Sequence, residues 1–217
     1  MTTGCEVDHL VVVATTLDDG ARWCEATLGI TPGPGGRHAL MGTHNRLFSI
    51  AGQAFPHAYF EIIAIDPAAP APARVRWFGL DTLRLDDGPR LVHFVARTAA
   101  IDARCDALRA AGLEPGPAIA ASRDTPEGRL EWRISVRDDG RLLAGGALPT
   151  LIEWGARHPV ATMPVSGVTL RAVSLRGLTS QAAQALQLRG VEIAVGAGPA
   201  ITATLETPRG TITLASY

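Results

Sequence analysis

The pattern of apolar and polar positions divides the first 157 residues into two similar halves. In the first half, a β-branched apolar run at 7–14 predicts a strand, and residues 17–28 have a helical pattern that stops before Gly29. Three further strand-like segments follow at about 38–43, 44–51 and 58–65. The predicted order of elements is therefore β-α-β-β-β.

The second half repeats this order. Residues 91–98 predict a strand, and residues 101–111 predict an amphipathic helix that ends at Gly112. Strand-like segments recur near 117–122, 130–137 and 148–154. We therefore predict two modules, at about 6–66 and 90–157, joined by a segment rich in proline, alanine, aspartate and glycine that has little fixed structure.

A third and shorter copy is predicted in the C-terminal segment, residues 160–217. It has a strand at 168–175 and a helix at 179–189 with Thr179 as the N-cap residue. Strands are predicted near 191–195, 200–206 and 210–214. Because this segment contains no histidine, we interpret it as architectural, covering a sheet edge or forming a subunit contact.

The composition narrows the classes of function. With 217 residues, of which 47% are hydrophobic, the chain can build a real core. The formal net charge of -1 and the lack of a basic run argue against binding to nucleic acid through its phosphates. The chain has no lysine, so all 20 cationic residues are arginines. This excludes a lysine Schiff base, a pyridoxal-phosphate lysine and a P-loop lysine.

The cysteines and the chain ends indicate the compartment. Cys5, Cys24 and Cys105 are far apart and show no C-x-x-C spacing, which argues against a disulfide framework or a zinc ribbon. The N-terminal residues lack the regions of a signal peptide, and no apolar stretch approaches the ~18 residues of a membrane span. We expect a soluble cytoplasmic protein that does not associate with a membrane.

Four predicted strands each carry one residue that can bind a metal. The order is His9, Glu61, His93 and Glu153, so each module has a histidine on its first strand and a glutamate on its last. Any one of them alone is more simply a satisfied core histidine or an edge glutamate. Together, two imidazoles and two carboxylates suit a divalent metal, whereas four isolated buried ionisable groups would be costly to fold around. The repeat therefore predicts one shared metal site.

Alternation along each strand assigns these donors to one face of the sheet. We expect them to face the concave side together with Val7, Val11, Tyr59, Ile63, Leu91, Val95 and Leu151. The opposite face, toward the helices, is expected to carry Leu10, Val12, Phe60, Ile62, Val92, Phe94, Ile152 and Trp154. A mostly apolar concave face with one ionisable group per strand is typical of a pocket.

Four motifs are moderately specific singly and strong together: Asp8-His9-Leu10-Val11-Val12, Gly42-Thr43-His44-Asn45, Tyr59-Phe60-Glu61-Ile62-Ile63 and Val92-His93-Phe94. On these motifs the sequence resembles the vicinal oxygen chelate superfamily, and its glyoxalase-like domain proteins in particular, over about residues 6–157. The resemblance implies an α+β fold in which paired βαβββ modules form an incomplete barrel.

The resemblance also implies chemistry. A divalent metal would be held by His9, Glu61, His93 and Glu153, and would bind vicinal oxygens of a substrate and stabilise an enolate or enediolate. A carboxylate would move a proton on the adjacent carbon, and we interpret Glu153 as that carrier, with Glu61 as the second choice. Zinc, nickel, cobalt, manganese and ferrous iron all tolerate such a donor set, so the identity of the metal stays open.

Other polar residues have weaker assignments. Arg46 or Arg123 is a candidate clamp for a substrate carboxylate, and Trp132 is a candidate pocket wall. The simpler interpretations are surface arginines, a core tryptophan and, for Asn45, a turn. The remaining histidines that lie in loop-like contexts are expected to be solvated, namely His38, His57 and His158.

Three hypotheses follow. The first is a metal-dependent lyase or isomerase that acts on a small metabolite with adjacent oxygens. The second is a non-catalytic protein of the same fold that binds a small molecule, such as a drug-sequestering resistance protein. The third, a ring-cleaving dioxygenase, fits less well because it uses iron bound by two histidines and one carboxylate. A homodimer is compatible with the exposed sheet edges but is not required to complete the site.

Overall fold

A computed structural model describes residues 4–216 of the chain, so Met1–Thr3 of the predicted signal-free N-terminus lie outside the described residues. The elements of the first module are β1 (Glu6–Val13), α1 (Leu17–Leu28), β2 (Arg37–His38), β3 (Thr43–Ser49) and β4 (Tyr59–Ile65). Helix α1 begins after Thr16, whose side chain accepts a hydrogen bond from the backbone N–H of Asp19. It ends at Gly29, which has a φ of 78°.

The second module has the same order of elements. They are β5 (Arg90–Arg97), α2 (Ile101–Ala110), β6 (Ala118–Thr125), β7 (Gly128–Ser135) and β8 (Thr150–Trp154). The prediction of two βαβββ modules is confirmed. Their boundaries differ from the predicted ones by only a few residues at each element.

One curled, nearly closed sheet of eight strands combines the two modules, in the order β2-β3-β4-β1-β5-β8-β7-β6. Within each module the first and last strands are parallel neighbours, β1 with β4 and β5 with β8. The modules join where β1 and β5 pair antiparallel. The two end strands, β2 and β6, face each other across the open seam of an incomplete barrel.

The C-terminal segment forms the predicted third copy. Its elements are β9 (Thr169–Leu175), α3 (Ser180–Leu186), β10 (Val191–Ile193), β11 (Ile201–Thr207) and β12 (Gly210–Ala215). Thr179 is the N-cap of α3, as predicted, and its side chain accepts a hydrogen bond from the backbone N–H of Ala182. The strands make a separate sheet in the order β10-β9-β11-β12.

This second sheet covers a face of the barrel. Leu170, Val173 and Leu205 belong to the same buried cluster as Phe60 and Phe94 of the barrel strands. We call this the outer cluster; it also contains the buried faces of α1 and α2. The segment was predicted to cover a sheet edge or to form a subunit contact; its apolar side chains pack on the outer face of the barrel, and a subunit contact stays a prediction.

A second buried cluster fills the concave side of the barrel, and we call it the inner cluster. Barrel residues in it are Val11, Val13, Ile63, Val92, Val95, Leu130, Trp132, Ile134 and Ile152. Trp77 and Phe78 join them from the connector between the modules. The connector was predicted to have little fixed structure, but it contains a 3₁₀ turn at Trp77–Gly79 whose two aromatic rings are buried.

The predicted faces are correct for most positions and wrong for some. Val7, Leu91 and Leu151 belong to the outer cluster. The positions found on the inner side instead are Val92, Ile152 and Trp154. In β1 and β5 the cause is two register shifts, between Val7 and His9 and between Val11 and Val12, which interrupt the alternation of side chains. Among the described residues, no helix is both long and apolar enough to cross a membrane.

Candidate functional site

The first module places His9 and Glu61 side by side on the concave face. Their strands are parallel neighbours in which His9 aligns with Tyr59 and Val11 aligns with Glu61. His9 Nε2 lies 3.6 Å from Glu61 Oε2, and both side chains are buried. The ring of Tyr59 stacks on His9 with the centroids 4.5 Å apart. These two predicted donors are therefore brought together.

Asp8 holds the His9 ring. Its carboxylate is fully buried and accepts hydrogen bonds from His9 Nδ1 at 2.6 Å, from His158 Nε2 at 2.9 Å and from Trp154 Nε1 at 2.9 Å. Burial raises the pKa of Asp8, but the hydrogen bonds from His158 and His9 and their charges outweigh burial and hold the pKa well below its usual range. Because an ionised carboxylate only accepts, His9 must donate from Nδ1, which turns Nε2 toward Glu61.

Glu61 is held at one oxygen and unpaired at the other. Its Oε1 accepts a hydrogen bond from Asn45 Nδ2 at 2.6 Å. Its Oε2 is buried and has no hydrogen-bond partner among the described residues. Asn45 is itself fixed, because its Oδ1 accepts from the backbone N–H of Gly36 at 2.8 Å. Asn45 lies within β3, so its interpretation as a turn residue was wrong.

Two histidines that were expected to be solvated are part of this network. His38 Nε2 accepts from Asn45 Nδ2 at 3.3 Å, and the His38 ring lies 5.0 Å from that of Trp77. Burial lowers the pKa of His38 to about 3, and the charge of Arg123 acts in the same direction. His158 is bound to Asp8, as described above. Of the three histidines expected to be solvated, only His57 is partly exposed and without a hydrogen bond among the described residues.

His93 has no ring nitrogen free. Its Nδ1 donates to the carbonyl of Gly146 at 2.9 Å, and its Nε2 accepts from the backbone N–H of Thr150 at 3.0 Å. Burial lowers the pKa of His93 to about 3 despite the bond to Gly146. His93 is therefore a neutral, fully bonded core histidine.

Glu153 lies on the other face of the sheet. It alternates with Ile152 and Trp154, which face inward, and accepts a hydrogen bond from Arg133 at 3.4 Å. Arg133 also donates to Asp102 of α2 at 2.7 Å. Glu153 is thus part of an ion-pair network on the outside of the barrel.

The predicted donor set of four does not converge. Within residues 4–216, no three histidine, cysteine, aspartate or glutamate side chains are placed to hold a metal ion together. The four-donor metal centre does not fit this structure, because the ring nitrogens of His93 are both bonded and Glu153 points away from His9 and Glu61.

Of the three residues predicted to bind the substrate, one lies outside the barrel and two line a cavity on the concave side. Arg46 is on the outer face of β3, 3.7 Å from Asp18 of α1. Arg123 and Trp132, in contrast, line the cavity that contains His9 and Glu61. We call this cavity the cup. Its lining residues are His9, His38, Asn45, Leu47, Tyr59, Glu61, Trp77, Phe78, Arg123, Trp132, Ile134, Ile152 and Trp154.

The connector nearly fills the cup. Trp77 and Phe78 enter it from the concave side, and the free volume that remains is about 30 Å³, room for a water molecule or two. Phe78 adopts a φ of 57°, which is strained for an aromatic residue. The sequence signal for this feature was an aromatic pair inside a segment otherwise rich in proline and alanine.

Comparison of the sequence with models of known protein families identifies the family of this chain. A sequence model described as glyoxalase-like domain matches residues 7–195, which is most of the chain. The chain belongs to this glyoxalase-like domain family. The match continues past β8 through α3 to β10, so it extends beyond the two modules on which the resemblance was recognised. No curated protein matches the chain.

Three solved structures are similar to this chain at low sequence identity, and the first of them shares its fold. A hypothetical protein from Staphylococcus aureus is 15% identical with a TM-score of 0.60, covering 98% of this glyoxalase-like chain and 88% of its own. Methylmalonyl-CoA epimerase from Mycobacterium tuberculosis is 19% identical with a TM-score of 0.41, covering 74% and 92%. A methylmalonyl-CoA epimerase in complex with methylmalonyl-CoA and NH4+ is 15% identical with a TM-score of 0.47, covering 75% and 100%. The family match confirms the glyoxalase-like assignment made from the sequence, and the eight-stranded sheet confirms the predicted fold of paired modules.

Proposed function

We propose that this glyoxalase-like protein is a lyase or isomerase that moves a proton on a small metabolite with adjacent oxygens. One observation carries the proposal. Glu61 Oε2 is buried and unpaired, faces the cup, and lies 3.6 Å from His9 Nε2. A buried carboxylate oxygen without a partner is costly unless a ligand or a proton satisfies it.

The geometry favours Glu61 as the proton carrier. Asn45 binds Oε1 and fixes the carboxylate, so Oε2 is the oxygen that can take a proton from a substrate carbon. When that C–H bond breaks, its electron pair moves to the adjacent carbonyl and forms an enolate-type intermediate. Glu153, our first choice from the sequence, is bound to Arg133 outside the barrel and is not proposed for this role.

His9 supports the same step. Asp8 orients the ring and, as a fixed negative charge, stabilises positive charge on it, so His9 can share a proton with the developing enolate oxygen. Delivery of a proton to the opposite face of the same carbon, or to the neighbouring carbon, gives an isomerase. Loss of a leaving group from the enolate gives a lyase. No step depends on a metal, because the four-donor centre does not fit.

Proton exchange with solvent is the direct test. Pyruvate, 2-oxobutyrate, hydroxyacetone and lactaldehyde would be incubated with the protein in heavy water, and loss of the C–H signal next to the carbonyl would be followed by proton NMR. We expect protein-dependent exchange with at least one compound, and a loss of roughly 10²-fold or more in Glu61→Gln. Glu153→Gln is the matched control and should exchange like the native protein.

Two results would contradict the proposal. One is exchange that survives Glu61→Gln, and the other is the absence of protein-dependent exchange with all four compounds. Metal analysis of the purified native protein, His9→Ala and Glu153→Ala belongs to the same experiment. If the native protein contains a divalent metal and both variants contain less of it, the four-donor hypothesis would be restored. Glu153 would then bind the metal, which requires a different arrangement of the site from the one described above.

A second function, non-catalytic binding of a small molecule, is favoured by the walls of the cup. Trp77, Trp132 and Trp154 line its small volume, which suits contact with the apolar part of a small ligand. Binding of a panel compound without exchange would select this alternative. The dioxygenase hypothesis has less support, since His93 would be needed as the second histidine ligand and both its nitrogens are bonded.

A further inference from the structure

Arg123 is the arginine that lines the cup. In β6, Ile119, Ala121 and Arg123 are partly buried and alternate with exposed residues, so Arg123 shares the inward face. It aligns with Leu130 of β7, which belongs to the inner cluster. The guanidinium therefore lies at the rim of an otherwise apolar wall.

The Arg123 guanidinium is unpaired in the described part of the chain. Within residues 4–216, no hydrogen bond or ion pair engages Arg123, whereas the outward-facing arginines of β7 are paired. Arg129 lies 3.5 Å from Glu131, and Arg133 lies 2.7 Å from Asp102. A partly buried guanidinium that lacks a carboxylate is short of the acceptor that its planar donors match best.

A glycine makes room for this side chain. A Cβ atom on Gly36 would collide with Arg123 Nη1. Gly36 does not have a positive φ, so its backbone conformation does not require glycine. The small size of glycine instead leaves space for the Arg123 guanidinium. Gly36 precedes β2, the end strand that faces β6 across the seam. The chain therefore keeps a place at the seam for the Arg123 guanidinium.

We infer that the cup selects a short-chain monocarboxylate, bound through Arg123 at its rim. The inference rests on the proposed function, since it names the substrate class of the same site. Arg123 would pair with the carboxylate at the rim, and the few remaining carbon atoms would enter the free volume of about 30 Å³, so that the far end lies toward Glu61.

Binding of pyruvate and of its uncharged methyl ester, measured by isothermal titration calorimetry, tests the inference. We expect the native protein to bind the acid about 10- to 100-fold more tightly than the ester. Arg123→Gln should bind both compounds alike. Arg129→Gln is the matched control, because it removes an exposed arginine from the neighbouring strand, and it should keep the preference for the acid.

Gly36→Ala provides a second variant that keeps every charge. The added methyl group would displace the Arg123 guanidinium, so the preference for the acid should fall while the far-ultraviolet circular dichroism spectrum stays native. Equal binding of acid and ester by the native protein, no binding of either, or a preference that survives Arg123→Gln would overturn the inference.

Failure of the inference and of the proposed function can be told apart. Glu61-dependent exchange without a preference for the acid would keep the function and reject the carboxylate. An Arg123-dependent preference without Glu61-dependent exchange would keep the carboxylate site and reject the catalytic role.

Discussion

Replacing Asp8 by asparagine should destabilise the protein and disorder His9. Asp8 is fully buried and accepts three hydrogen bonds, from His9, His158 and Trp154. Asparagine has one acceptor oxygen, and its amide nitrogen can only donate, so at least one of the three buried N–H groups loses its acceptor. The charge assistance of the remaining bonds is lost as well.

These terms set the magnitude. An unsatisfied buried donor costs about 1–3 kcal/mol, and weakening each of the other bonds costs roughly 1 kcal/mol, while relief from burying a charge offsets part of the loss. We expect the free energy of unfolding of Asp8→Asn to fall by about 3 kcal/mol. Urea unfolding at neutral pH, followed by tryptophan fluorescence, measures it.

The control is Asp87→Asn, an exposed aspartate in the connector. If Asp8→Asn matched that control to within about 0.5 kcal/mol, Asp8 would not be the anchor described above. Because His9 would lose its orientation, the Asp8→Asn variant should also exchange the C–H proton of the substrate in heavy water more slowly than the native protein does.

Two further predictions concern stability. Burial lowers the pKa values of both His38 and His93 to about 3. Between pH 6.5 and 3 these two histidines are therefore protonated in the unfolded chain but not in the native state, so the free energy of unfolding decreases as the pH falls through this range. The free energy of unfolding should therefore fall by about 3 kcal/mol between pH 7.5 and 5.5 in denaturant titrations, and His93→Asn should roughly halve that fall; a flat profile would contradict the buried neutral state. Phe78 has a φ of 57°, so Phe78→Gly should be about 1 kcal/mol more stable than Phe78→Ala, the reverse of the usual order, and a more stable alanine variant would show that the backbone is not strained.

Local signals in the sequence were sufficient for the elements of the fold. The helical pattern before Gly29 identified α1, and Thr179 identified the start of α3. Both helix ends could be predicted because they are determined by residues that are close to them in the sequence. The restart of the same pattern after the connector identified the second module, because a repeated order of elements needs no knowledge of long-range contacts.

The network around His9 could not be predicted by the same means. Asp8 and His9 are neighbours in a strand, and strict alternation would send their side chains to opposite faces. The register shift between Val7 and His9 relaxes that alternation and lets the two residues bond. A charged residue inside an apolar strand was the available signal, but its partners, His158 and Trp154, are 146 or more residues away.

The mismatch between the two modules has its origin in strand register. In the first module Glu61 aligns with Val11, two residues beyond His9. In the second, the residue aligned two positions beyond His93 is Thr150, which pairs with Val95 and donates its backbone N–H to the His93 ring. A threonine therefore occupies the place that corresponds to Glu61.

Glu153 is three residues further along β8, so it would align with Thr98, five residues from His93. At roughly 3.3 Å per residue this is an offset of about 16 Å along the strands, against about 7 Å in the first module. The sequence repeats histidine and glutamate in the same order, but the number of residues between them does not determine the register, because some of these residues lie in loops. Only the pairing of β5 with β8 determines which residue lies beside the histidine. This is why one module contributes the pair His9 and Glu61 to the cup, while the other contributes aromatic walls and Arg123.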